Sequence, residues 1–105
     1  MAHALNIIND ATSPHPIVNM NGATVESLIE QIHEAYKKIE EAHKAIQNAF
    51  PHGRDYQLNP AGDYAMTRAV WETYNSALVA IHADLTDRLE NLCEQRDQRD
   101  RQRAR

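Results

Sequence analysis

The sequence has one cysteine, Cys93, only three glycines, and no apolar run approaching the length of a membrane span. A lone cysteine excludes an intramolecular disulfide and a cysteine-based zinc site within one chain, and it suits a reducing compartment. So few glycines in 105 residues fit a helical chain better than a turn-rich sheet. The N-terminus lacks the basic start and continuous apolar stretch of a secretory leader, so a cytoplasmic protein is expected. Basic residues are scarce until the end. Up to Cys93 there are twelve acidic and six basic side chains, and from Glu94 onward three acidic and five basic. Such an acidic body is a poor match for duplex nucleic acid, which needs a concentrated basic surface. Also missing are a nucleophile with a base and an orienting group, a glycine-rich phosphate loop and a pair of carboxylates at catalytic spacing. A protein without catalytic activity and without a cofactor is therefore expected.

Two long stretches of helical periodicity are present instead. The first runs from about Thr24, whose hydroxyl suits an N-cap, to about Ala49. Its apolar positions form three rows at seven-residue steps: Val25, Ile32, Ile39, Ile46; Leu28, Ala35, Ala42, Ala49; and Ile29, Tyr36, His43, Phe50. Three adjacent rows make a stripe wide enough for more than one partner helix. The second should start at Asn59-Pro60, read as an N-cap followed by proline at the first helical position, and run to Cys93 or beyond. Its seam alternates steps of three and four through Thr67, Trp71, Tyr74, Leu78, Ile81, Leu85, Arg88 and Leu92, as in a coiled coil. A short connection pairs such helices antiparallel. Pairing outward from the connection sets His43 against Val70 and Trp71, Tyr36 against Leu78, and Ile29 against Leu85. The expected fold is all-α: an irregular arm over residues 1–22, an antiparallel two-helix hairpin over 23–93, and a charged helix extension or disordered tail over 94–105. Two helices alone cannot cover both stripes, so assembly into a homo-oligomeric helical bundle is expected, with the arm ordered on a neighbouring subunit.

The connection, from Phe50 to Pro60, is the densest polar stretch and the first candidate site. Pro51 ends the preceding helix because it has no N–H and biases Phe50 away from the α region. His52, Arg54 and Tyr56 then offer an imidazole, a guanidinium and a phenol, which together suit an anionic, planar ligand such as a phosphate-bearing nucleotide. The purely architectural alternative is an Arg54–Asp55 salt bridge with Tyr56 capping the open end of the hairpin. Arg88, on the second seam, is a further basic candidate at a subunit interface; otherwise it snorkels and pairs with Glu26 or a neighbouring subunit. His43 suits a satisfied core position, bonded to Thr73 or Tyr74. Two Glu-x-x-His spacings, Glu30/His33 and Glu40/His43, match a metal-ligand pattern of helical bundles, but Glu30 and His33 lie off the apolar stripe, so no metal site is expected. In the tail the arginines complement the negative end of a helix dipole, and Asp97 and Asp100 dilute any field that would attract RNA.

A helix ending in Ala49-Phe50-Pro51, the segment His52-Gly53-Arg54-Asp55-Tyr56 and a second helix from about Pro60 resemble small helical proteins encoded by bacteriophages and prophages. The resemblance spans about residues 24–93 and centres on Arg-Asp-Tyr, with Gln57 where the related proteins often carry a second tyrosine. It implies an anti-defence protein of the host cytoplasm. Two modes are implied: a sponge that sequesters a nucleotide immune signal, or an inhibitor that binds a host defence protein directly; for the second, the charge distribution of this chain offers the acidic outer face of the first helix and the basic tail.

Overall fold

A computed structural model describes residues 13–19 and 24–104. It contains two antiparallel α-helices joined by a single 3₁₀ turn, with no strand among the described residues. Helix α1 spans Val25–Asn48 and helix α2 spans Asp63–Arg103. Together they make a rod of 70 × 25 × 19 Å, two helices wide. Among the described residues no helix is long and apolar enough to cross a membrane.

Both ends of α1 follow from local chemistry. Thr24 is extended, and its Oγ1 accepts the Ser27 backbone N–H at 3.1 Å, which satisfies one of the donors that a helix start leaves open. The other end closes on the N–H of Ala49, shared between the carbonyls of Ala45 and Ile46, two residues before Pro51 stops propagation. The start of α2 differs from the reading of Asn59-Pro60 as cap and first turn. Pro60 lies in a turn that its own carbonyl closes by accepting the Asp63 N–H at 3.2 Å. Helix α2 therefore begins at Asp63, after Gly62 at φ 97°. Only glycine enters that left-handed conformation without a Cβ penalty. Asn59 still supports the start, through its side-chain amide donating to Asp63 Oδ2 at 3.2 Å.

The later start changes the register. Tyr36 packs on His82 with ring centroids 4.5 Å apart and the rings tilted by 37°, and His43 Nε2–H donates to Asn75 Oδ1 at 2.5 Å. Each partner lies about one helical turn beyond the one expected from counting outward. His43 is a satisfied seam histidine, though its partner is Asn75 rather than Thr73 or Tyr74. Near the connection, Phe50, Trp71 and Tyr74 form an edge-to-face series with centroids 5.9 and 5.6 Å apart, the geometry aromatic quadrupoles favour.

Beyond Cys93 the charged segment continues α2 to Arg103. Residues 13–19 form no helix or strand but dock on this part of α2. The Val18 N–H donates to Gln95 Oε1 at 3.1 Å, and Gln95 Nε2 donates to the Pro16 carbonyl at 2.8 Å. Arg88 Nη2 donates to Ser13 Oγ. This part of the expected arm thus packs on its own chain; the rest of it lies outside the described residues. Among the described residues few side chains are buried: Val25, Ala77 and Leu92, at 4, 8 and 2 % exposure. The apolar row Ile32, Ile39 and Ile46 is half-buried.

Candidate functional site at the hairpin tip

After Pro51 the chain turns through a 3₁₀ segment, Gly53–Tyr56. Two backbone bonds hold it, from the Asp55 N–H to the His52 carbonyl and from the Asn59 N–H to the Tyr56 carbonyl, each 3.0 Å. Tyr56 leans on Tyr64 in the first turn of α2, with centroids 6.0 Å apart, so the turn is braced against the helix it introduces. Tyr56 does cap the end of the hairpin.

His52 and Arg54 both face solvent. Neither side chain forms a hydrogen bond or ion pair with a described residue, and the adjacent Asp55 does not pair with Arg54 among the described contacts. A guanidinium two residues from an imidazole, both uncommitted on a braced turn, can take a phosphate or carboxylate: the fork donates in parallel and the ring donates from one side. The surface is convex, whereas small-molecule sites are concave. One further residue at the tip had no signal in the sequence. Leu58 is completely exposed, at 102 %, and Met66 follows in α2 at 71 %. Leu58 fits no periodic row, so hydrophobic patterning could not single it out.

Arg88 does not join this site within one chain. It lies on α2 24 residues beyond Tyr64, about 36 Å along the helix at the usual rise. Its Nε donates to Asp84 Oδ2 at 2.8 Å, and only 19 % of its side chain is exposed. The structure thus groups His52, Arg54 and Tyr56 and leaves Arg88 as part of the seat for residues 13–18.

At the opposite end, the foot of the hairpin, a cleft of about 400 Å³ is lined by Val18, Val25, Glu26, Gln95, Arg99 and Arg103, among others. Glu26 pairs there with Arg99, at 2.6 Å, about three turns past Arg88, the partner considered from sequence. The hydrogen bond from Arg99, followed by one from the Glu26 backbone, holds the Glu26 carboxyl below its ordinary range; Glu26 and Asp100 in turn raise the Arg99 guanidinium. Part of the charge along the outer face of α1 is also compensated, with Glu34 pairing Lys37 and Lys38, and Glu41 pairing Lys38. Among the described residues, no group of three or more His, Cys, Asp or Glu side chains converges as metal ligands would.

No protein-family model, curated protein or solved structure significantly matches this chain.

Proposed function

We propose that this protein is a non-enzymatic binder that assembles with copies of itself and captures a phosphate-bearing ligand at the hairpin tip. Arg54 and His52 supply the donors and Tyr56 the platform. The observation that supports this reading is the uncommitted state of Arg54 and His52 on a braced turn, a state shared by Lys44 and Arg101 on the helices, whereas Arg68, Arg88, Arg96 and Arg99 form ion pairs within the chain. A free guanidinium on a braced turn is prepared for an external anion and needs little reorganisation to bind it. A nucleotide fits the combination of anion and planar ring. The resemblance to small phage-encoded helical proteins supports an immune signal of the host as that nucleotide, and sequestration as the outcome. Because the tip is convex, a second subunit has to close the site; Arg88 of that subunit, the basic candidate from the second seam, would have to leave Asp84 and Ser13 to take part.

Titration calorimetry with a panel of linear and cyclic nucleotides tests this. Binding should weaken with salt, vanish in Arg54→Ala, and fall sharply in Arg54→Lys, which keeps the charge but loses the fork. Helicity should stay unchanged in both variants. Nucleotide binding that survives Arg54→Ala removes the tip from the site.

A second reading draws on Leu58. Leu58 and Met66 are both exposed near the turn and offer apolar contact next to its polar side chains, so the tip would press on a host defence protein. In that case no nucleotide binds, and Leu58→Glu abolishes inhibition of the host protein.

A further inference from the structure

The Tyr36–His82 and His43–Asn75 contacts fix how each helix is rotated about its axis. With 3.6 residues per turn, that rotation puts Ala35, Ala42 and Ala49 of α1 on the same side of the hairpin as Met66, Val70 and Ala77 of α2. Towards the foot, this side of α2 continues through Arg88 and Gln95, which hold residues 13–18. Towards the tip it lies open among the described residues, with Met66 at 71 % and Val70 at 42 % exposure and Ala42 and Ala49 exposed.

We infer that a second copy of this chain packs on this open half, about a two-fold axis, so that four helices enclose what two leave half-covered. This deepens the self-association in the proposed function and rests on it. Three features select a second copy. The first is the shortage of enclosed side chains, three in the described hairpin, when a chain of this size normally encloses a continuous core. The second is area. The chain exposes 7973 Å² at 12.0 kDa, about 2,000 Å² more than a compact monomer of that mass. That excess falls within the share of about 1,000–2,500 Å² that each partner gives to an obligate interface. The third is chemistry. Between Met66 and Ala77 this side of α2 exposes Met66, Val70 and Thr73, with Ala77 buried beside them, and carries no charge. A two-fold contact sets like residues near like, so a charged stripe would repel its own copy, whereas an uncharged one of small residues lets the helices approach closely.

The test compares two valines of α2 that lie on opposite sides and have similar exposure, Val70 at 42 % and Val79 at 49 %. Sedimentation equilibrium of the full chain should give a dimer or a multiple of it. Val70→Glu should reduce it to monomer, with Ala42→Glu doing the same should Val70→Glu lose its helicity, while Val79→Glu should leave the assembly intact. A monomeric unmodified chain would overturn the inference, as would equal dissociation by Val70→Glu and Val79→Glu or persistence of the assembly in Val70→Glu and Ala42→Glu. If the unmodified chain is monomeric and removal of residues 1–12 makes it associate, the chain's own N-terminal segment is the occupant. A monomeric unmodified chain fails the self-association of both readings, whereas an assembly that persists in Val70→Glu and Ala42→Glu fails this inference alone and a negative Arg54 titration fails the tip alone, so the outcomes are distinguishable.

Discussion

The foot and the tip of the hairpin use similar residues to opposite ends. At the foot, Val25 and Leu92 are the most enclosed side chains, Arg99 is paired with Glu26, and Gln95 pins residues 16–18. At the tip, Leu58, Met66 and Val70 stand exposed and Arg54 and His52 have no ion-pair or hydrogen-bond partner among the described residues. Where an arginine is answered by its own chain it contributes to the fold, and its desolvation is already compensated. Where it is left open, it is available to something outside. The contrast separates an end that holds the hairpin together from an end that meets other molecules.

The largest difference should appear in packing. Leu92→Ala removes a side chain that is 2 % exposed and should cost about 2–4 kcal/mol through lost burial and the cavity left behind. Leu58→Ala, at the tip, should stay within about 0.5 kcal/mol. Urea unfolding at unchanged m-value reads both, and equal losses at the two ends would break the contrast. A smaller effect is expected at the backbone of the tip. A Cβ at Gly62 would meet no atom within 4 Å, so the cost of Gly62→Ala is that of holding φ at 97°, about 1 kcal/mol. Gly62→Asn should recover part of it, because asparagine tolerates the left-handed region better; an alanine variant as stable as the parent would mean that α2 can start at Pro60 after all.

The smallest effect is electrostatic and belongs to the foot. The Glu26 carboxyl is held below its ordinary range when folded. Its contribution is therefore fully present above the ordinary carboxylate value and is lost as pH falls through the lower folded value. The pair is partly exposed, so the slope should be shallow. In thermal melts from neutral pH down into the acid range, Glu26→Gln should flatten the decline and Arg54→Ala should leave it unchanged. A decline that Glu26→Gln does not alter would assign the acid sensitivity of the foot elsewhere.

Much of the tip was legible from short-range chemistry. Pro51 stops a helix wherever it occurs, and the His52 to Tyr56 segment is too polar and too short to be anything but an exposed turn. Leu58 was not legible, because its exposure depends on how the turn is laid over α2 and Tyr64. The foot was hardly legible at all. Its Glu26–Arg99 pair joins residues more than seventy positions apart, and a count outward from the connection, the only guide the sequence offers there, brings Arg88 rather than Arg99 towards Glu26.

The amino-acid sequence by itself determined the two helices, the Thr24 cap, the break at Pro51 and the apolar stripes, because each depends on dihedral preferences and spacing within a few residues. The tertiary structure alone decided the register. A seam that repeats every three and four residues looks nearly the same after a slip of one turn, so periodicity cannot choose between Leu78 and His82 as the partner of Tyr36. The choice falls to contacts that a slip would destroy: the His43–Asn75 hydrogen bond, the tilted ring contact of Tyr36 with His82, and the reach of Arg99 to Glu26. Arg88 is committed to Asp84 within its own helix and to Ser13, and Arg54 of the connection is left at the tip without an ion pair among the described residues.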